Sequence, residues 1–204
     1  PGGPWPEGPG ADLLRSVMER THKILDGHEV NLVRRDLGEN PANLAWLWGP
    51  GTHTALPPFE EKFGMKGSVI SAIDLIKGIG RLAGFDVIEV PGATGYYDTN
   101  YEGKASYALK ALKKKEFVLV HLEATDEAGH NGDLKEKMNA IEKFDRLIVG
   151  GVVDGLKGMG PFRILVTPDH ATLVRSRSHV DTPVGTGDRH TSEFHAARTR
   201  PSDP

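Results

Sequence analysis

The stretch VLVHLEATDEAGHNGD, residues 118–133, runs from an apolar segment directly into a dense group of acids and histidines. The apolar residues at its start predict a buried strand, and Asp126 and His130 follow the end of that strand. Both side chains are costly to bury unless something positive lies between them. The stretch therefore predicts a strand that ends at a metal site.

Two further segments carry the same mixture of carboxylate and imidazole just after a strand or in the following loop: TPDH at 167–170 and SRSHVDTPV at 176–184. This mixture suits manganese, zinc or cobalt better than calcium, which prefers oxygen ligands. Five such ligands are enough for two ions roughly 3.5–4 Å apart, an arrangement that serves phosphoryl transfer. Taken singly, each aspartate also fits a turn and each histidine a surface position. The candidate ligands are Asp126, His130, Asp169, His170 and His179.

Helical and strand patterns alternate along most of the chain. Such alternation, with continuous apolar strands, predicts an α/β fold with a parallel sheet covered by helices on both faces. Ligands gather at the carboxyl ends of strands in this architecture, so Asp126 and Asp169 are expected at one sheet edge. The predicted helices are 11–25, 71–84, 104–115 and 133–157, and the predicted strands are 28–38, 43–51, 85–90, 117–122 and 163–167.

Composition excludes several classes of function. The net charge of -3 gives no basic field for nucleic acid, and no apolar run is long enough to span a membrane. The absence of cysteine removes disulfides and thiolate metal sites. We expect a cytoplasmic protein without nucleic-acid or membrane partners; the oligomeric state is not predicted.

Five segments together resemble the cofactor-independent phosphoglycerate mutases of the archaeal type, within the alkaline phosphatase superfamily. The order Asp-x-x-x-His, Asp-His and His-x-x-x-Pro-Val is the most specific part of the resemblance. The segments are NLVRRDLGENPANLAWLWGPG (31–51), GSVISAIDLIKGIG (67–80), VPGATGYYDTNYEGKA (90–105), VHLEATDEAGHNGD (120–133) and LVTPDHATLV (165–174).

The resemblance implies an alkaline-phosphatase-like, parallel-rich sheet between helices, with part of a smaller inserted α/β domain. It assigns residues 11–65 to part of the inserted substrate-capping domain and 66–184 to the metal-binding domain. The abundance of Pro and Gly at 1–10 predicts a disordered or linker segment, and the lack of apolar periodicity at 185–204 predicts a poorly ordered tail. The resemblance also implies two divalent ions, manganese, zinc, cobalt or magnesium. Asp126, His130 and His179 would hold one ion, and Asp169 and His170 would contribute to the other.

The implied reaction interconverts 3-phosphoglycerate and 2-phosphoglycerate through a phosphoserine, without 2,3-bisphosphoglycerate. The family's nucleophilic serine and a further aspartate ligand have no counterpart at residues 1–30, so the catalytic residue is unknown. Arg34 and Lys104 resemble substrate-binding positions, although a surface salt bridge and a helix-start lysine are the alternatives. Ser71 is interpreted as a helix cap, forming a capping box with Asp74.

Two other functions stay open on the sequence alone. Metal ligands are shared widely within the superfamily, so another phosphatase or phosphotransferase is the enzymatic alternative. The second is a truncated, non-catalytic chain that keeps a metal-binding surface. His121 and Glu123 alternate out of the same strand as Asp126 and are expected to orient a ligand imidazole.

Overall fold

The computed structural model describes residues 5–49, 51–52, 54–190 and 193–197. Residues 1–54 and 55–204 form two compact units. Part of the ends that we expect to be poorly ordered, residues 1–4, 191–192 and 198–204, lies outside the described residues. None of the helices in the described part of the chain has the length and apolar character that a membrane span requires.

The first unit contains two helices, α1 (Ala11–Leu25) and α2 (Glu29–Asp36). Helix α1 matches its prediction, but the strands predicted at 28–38 and 43–51 are wrong. The His28 side chain accepts a hydrogen bond from the backbone of Val30 and so caps α2. No helix or strand follows α2 among the described residues up to 54. Alternation over a short polar segment does not distinguish a strand from an amphipathic helix.

A three-stranded parallel sheet forms the centre of the second unit. Its strands are β1 (Gly67–Ile70), β2 (Asp86–Ile88) and β3 (Phe117–Val120), in the order β2-β1-β3. Val69 of β1 is opposite Val87 of β2 and Leu119 of β3. The predicted parallel sheet is confirmed, with β2 and β3 at predicted positions, but its central strand β1 is not among the predicted strands.

Helices pack on both faces of this sheet. On one face, Gly80 lies so close to β1 that an added Cβ would be 2.5 Å from Val69 Cγ1. On the other face, Ile70 and Val90 form a buried cluster with Ala108. The helices are α3 (Phe59–Phe63), α4 (Asp74–Leu82), α5 (Tyr101–Leu112), α6 (Ala124–Asn131), α7 (Leu134–Lys143) and α8 (Gly151–Leu156).

Helices α7 and α8 are the two ends of the long helix predicted at 133–157. They are joined by a π-helical segment, Phe144–Gly150, in which the backbone hydrogen bonds span one residue more than in an α-helix. The Asp133 side chain caps α7 by accepting from the backbone of Glu136. Ile148 of the π-helical segment is buried in one core cluster with Ala124 and Ala140.

The remaining strands do not extend the parallel sheet. Strand β4 (Arg163–Val166) pairs antiparallel with β7 (Thr186–His190), which pairs antiparallel with β8 (Glu193–Ala197). Strands β5 (Ala171–Leu173) and β6 (Ser178–Val180) form a separate hairpin. The expectation that β4 shares one parallel sheet with β3 is therefore wrong in the described residues. An apolar run predicts a strand but does not specify the strand with which it pairs.

Candidate metal centre

The β5–β6 hairpin packs against α6, and this contact creates the site. Helix α6 begins four residues after β3 ends and carries Asp126 and His130 one turn apart, on the same helix face. On the hairpin, His179 lies directly opposite Thr172. The two elements approach at Gly129, where an added Cβ would lie 2.8 Å from the backbone oxygen of Thr172.

Replacing Gly129 by alanine should therefore destabilise the protein by about 1–3 kcal/mol, because the backbone of Thr172 has to move. Gly78→Ala is the matched control, since a Cβ at this α4 position meets nothing within 4 Å. In that helix interior alanine should stabilise by roughly 0.5–1 kcal/mol. Urea unfolding of both variants measures the difference, and equal stability would contradict the close contact.

Three side chains converge where α6 meets the hairpin. The Nε2 atoms of His130 and His179 are 3.1 Å apart. The two carboxylate oxygens of Asp126 lie 3.2 Å from His130 Nε2 and 3.6 Å from His179 Nε2. One carboxylate and two imidazole nitrogens thus face a common point.

The orientation of His130 is fixed by the backbone. Its Nδ1 lies 3.0 Å from the carbonyl oxygen of Arg177, in the β5–β6 turn. A carbonyl only accepts, so Nδ1 carries the proton and the Nε2 lone pair is directed to the convergence point. Arg177 has a φ of 54°, a left-handed conformation that is uncommon for a residue other than glycine. A strained turn residue thus holds the carbonyl that selects the tautomer.

The other two candidate ligands, Asp169 and His170, lie in the loop between β4 and β5. His170 Nε2 is 3.4 Å from Asp169 Oδ2, and the His170 ring centroid is 3.8 Å from that of His179. Ligand atoms of Asp126, His170 and His179 all lie within 4.8 Å of one another. All five predicted residues therefore lie in one region, with Asp169 at its more exposed side.

This set of donors fits a divalent transition ion. Nitrogen and carboxylate oxygen together are the ligands of zinc, manganese and cobalt sites. The Nε2 atoms of His130 and His179 face each other at hydrogen-bond distance. Because the ring proton of His130 is on Nδ1 and is donated to the Arg177 carbonyl, the Nε2 lone pair of His130 is available to a cation. The donor set supports divalent metal binding.

Two further carboxylates approach Asp126. Oxygens of Glu123, Asp126 and Glu127 lie within 4.8 Å of one another. Burial, together with the neighbouring Asp126 and Glu127, raises the pKa of Glu123 above its ordinary value. Glu127 is not among the ligands predicted from the sequence, because a turn after the strand is expected to point its side chain away from Asp126. A nearby cation would relieve the repulsion among these three groups.

His121 and Glu123 contact each other, and Glu123 also interacts electrostatically with the candidate ligand His170. His121 Nε2 is 3.3 Å from Glu123 Oε2, and His121 Nδ1 is 3.2 Å from Ser71 Oγ. Burial and the nearby Lys104 lower the pKa of His121. The capping box predicted for Ser71 and Asp74 is wrong. Helix α4 has Ile73 as its N-cap residue, with no side-chain capping bond, and Ser71 Oγ accepts a hydrogen bond from the Ile73 backbone. Ser71 instead links the ends of β1 and β3 through His121.

The two candidate substrate residues lie in different units. Arg34 is in the first unit, where its Nε donates to the Asn40 carbonyl and its guanidinium is 3.4 Å from Glu39. Lys104 is in the second unit, 1% exposed, and its Nζ donates to the His121 carbonyl at 2.8 Å. Burial lowers the pKa of Lys104 to about 8, against a smaller opposing effect of Glu123.

The lowered pKa of Lys104 predicts a pH-dependent stability. Between about pH 8 and 10.5 the folded protein binds fewer protons at Lys104 than the unfolded chain, so stability rises with pH in this window. The free energy of unfolding of the wild type should increase relative to Lys104→Met by on the order of 3 kcal/mol. Urea unfolding at pH 7, 8, 9 and 10 measures the difference between the two proteins. A difference independent of pH would contradict the lowered pKa.

Thr172 is the contact residue that the sequence did not identify. Its hydroxyl donates to Asp126 Oδ1 and lies 3.3 Å from His170 Nδ1. The only signal in the sequence is its position two residues after His170, which places both side chains on the same side of an extended segment. Such a signal does not distinguish an ordinary strand threonine from one that contacts ligands.

Comparison with known proteins shows a family of metal enzymes. A family model described as "Metalloenzyme superfamily" matches residues 19–193. A protein of Geobacter sulfurreducens named "Probable 2,3-bisphosphoglycerate-independent phosphoglycerate mutase" is 50% identical over 88% of this chain and 45% of its own length. A Methanosarcina acetivorans protein of the same name, without "probable", is 46% identical over 98% of this chain and 48% of its own.

The solved structures agree with these matches. A protein from Pyrococcus horikoshii superposes with a TM-score of 0.72 and 35% identity, covering 85% of this chain and 45% of that one. The chain spans about half the length of the curated relatives it matches. The predicted resemblance and the α/β, alkaline-phosphatase-like fold class are confirmed. The chain belongs to the Metalloenzyme superfamily.

Proposed function

We propose that the protein carrying this chain is a metal-dependent, 2,3-bisphosphoglycerate-independent phosphoglycerate mutase. The convergence of Asp126, His130 and His179 on one point is the observation that carries the proposal. The names of relatives at 46–50% identity support the choice of reaction. The substrate is then 3-phosphoglycerate or 2-phosphoglycerate, and the enzyme is an isomerase.

The proposal includes two divalent ions, manganese, zinc, cobalt or magnesium. Asp126, His130 and His179 would hold one ion, and Asp169 and His170 would contribute to the second. Bound ions supply positive charge that activates a hydroxyl nucleophile and neutralises phosphate oxygens. The role of this chain is to orient the ligands. The Arg177 carbonyl accepts a hydrogen bond from His130, and the Thr172 hydroxyl donates one to Asp126.

Several predictions from the sequence remain proposals. Substrate binding by Arg34 and Lys104, the domain limits, the cytoplasmic location and the identity of the nucleophile belong to this group. The burial of Lys104 gives it a defined role in the fold, as a donor to the His121 carbonyl. A role in phosphate binding would add a second contact to this ammonium.

The test is an assay coupled to enolase, which consumes only 2-phosphoglycerate. The protein is given 3-phosphoglycerate with manganese and without 2,3-bisphosphoglycerate, with and without a chelator. Turnover that the chelator abolishes supports the proposal. Release of free phosphate in place of 2-phosphoglycerate would make the protein a phosphatase, and metal binding without either product would leave a non-catalytic metal-binding chain.

A further inference from the structure

Thr172 contacts both proposed sets of metal ligands. Its hydroxyl donates to Asp126 Oδ1, in the set on α6, and lies 3.3 Å from the Nδ1 of His170, in the loop before β5. Across the hairpin its backbone is paired with His179. The three residues that Thr172 meets are the same three whose ligand atoms lie within 4.8 Å of one another.

The direction of these hydrogen bonds follows from the chemistry of the groups. An ionised carboxylate only accepts, so the single hydroxyl proton of Thr172 goes to Asp126. The hydroxyl oxygen is then free to accept, and the Nδ1–H of His170 is the donor within reach. A neutral imidazole protonated on Nδ1 carries its lone pair on Nε2. The relay His170 to Thr172 to Asp126 therefore leaves the lone pair of His170 Nε2, which lies 3.4 Å from Asp169 Oδ2, available to an ion.

Thr172 is itself held firmly. The residue is 5% exposed, and its backbone oxygen accepts a hydrogen bond from Lys137 Nζ at 2.6 Å. Because Gly129 of α6 has no side chain, the backbone of Thr172 can approach this helix closely. A buried threonine whose backbone is held in this way has little freedom to move its hydroxyl away from Asp126 and His170.

We propose that the Thr172 hydroxyl is a positioning group shared by both ion positions, because it holds one ligand of each. This role rests on the metal site of the proposed function, in which Thr172 joins the two sets of ligands. Loss of the hydroxyl frees the Asp126 carboxylate to rotate and removes the bond that selects the His170 tautomer. Both ions are then bound more weakly, although no ligand has been removed.

The experiment is titration calorimetry of the purified protein with MnCl2. Thr172→Val keeps the shape of the side chain and removes the hydroxyl, and Thr172→Ser keeps the hydroxyl. The valine variant should bind Mn2+ about 10–100-fold more weakly at every site that the wild type fills, the range typical of outer-sphere partners of a metal ligand. The serine variant should stay close to the wild type.

Thr94→Val is the matched control, because the Thr94 hydroxyl donates to the Asp98 carboxylate at 2.7 Å, the same kind of bond away from the histidines. If the valine variant does not fold, Thr172→Ala is compared with Thr172→Ser, because these two variants differ only by the hydroxyl. Visible absorption of the Co2+-loaded proteins should change in the valine and alanine variants and not in the serine variant. The circular dichroism melting curve of each variant reports on folding.

Two results would overturn the inference. The first is wild-type Mn2+ affinity in a folded variant without the hydroxyl, and the second is an equal loss in the serine variant, which would assign the effect to packing. The enolase-coupled assay keeps the two proposals apart. Wild-type protein that binds Mn2+ with the expected pattern of variants but has no mutase activity contradicts the mutase and leaves the role of Thr172 intact.

Discussion

The Asp126→Asn variant should bind Mn2+ or Zn2+ more than about 100-fold more weakly than the wild type. A change in an outer-sphere partner costs about 10–100-fold in affinity, and loss of a ligand's charge should exceed that range. Asparagine has the same shape and keeps an oxygen that accepts from Thr172. It removes the negative charge that lies 3.2 Å from His130 Nε2 and 3.6 Å from His179 Nε2. Titration calorimetry with each metal measures the loss.

The stability of the metal-free protein separates a ligand from a structural residue. Asp126 is crowded by Glu123 and Glu127, so neutralising it reduces like-charge repulsion and should not lower the melting temperature. Asp98→Asn is the control, since Asp98 accepts from a threonine hydroxyl as Asp126 does. Unchanged metal affinity in Asp126→Asn would remove Asp126 from the ligand set.

The Asp169→Asn variant should reduce mutase turnover by roughly 100-fold or more, with little change in stability. Asp169 is 73% exposed in its side chain, and its Oδ1 accepts from the His170 backbone, which an asparagine oxygen reproduces. What disappears is the charge beside the ion that is proposed to activate the nucleophile. The enolase-coupled assay measures turnover, and calorimetry reports whether the number of bound ions falls.

Asp74→Asn is the control for this second variant. Its carboxylate is 99% exposed and lies 3.8 Å from Lys77, a surface ion pair of small energetic value. Turnover in Asp74→Asn should equal that of the wild type. Full activity in Asp169→Asn, or activity of the wild type that survives chelation, would refute the metal mechanism.

Most of the second unit could be predicted from the sequence because its signals are local. The apolar runs at β2 and β3 and the amphipathic pattern of α7 appear in the structure close to the predicted bounds, whereas β1 is not among the predicted strands. The pairing of β4 was not predictable, because strand partners depend on contacts far apart in sequence. In the first unit, short polar segments offered no periodicity strong enough to separate α2 from a strand.

The site was predictable as a list of residues but not as an assembly. A single aspartate or histidine after a strand also fits a turn or a surface position, so it was the recurrence of both in three segments that indicated a metal. A common sheet edge was expected to assemble the site; instead the β5–β6 hairpin, packed on α6 at Gly129, places His179 beside Asp126 and His130. The Thr172 hydroxyl and the Arg177 carbonyl are groups that occur throughout any protein, so only the structure reveals their contacts.

The π-helical segment Phe144–Gly150 sets the rotational phase of the helix that continues beyond it. One extra residue in a helix rotates every later side chain by about 100°. After the segment, glycines face α5: an added Cβ at Gly151 would lie 3.4 Å from Ala105 Cβ, and one at Gly155 2.2 Å from Leu109 Cδ1. A regular α-helix of one residue fewer would turn bulkier side chains towards α5. The π-helical segment thus changes which face of the continuous helix is presented along its length. The helix packs side chains against α6 at its start, and glycines without side chains against α5 at its end.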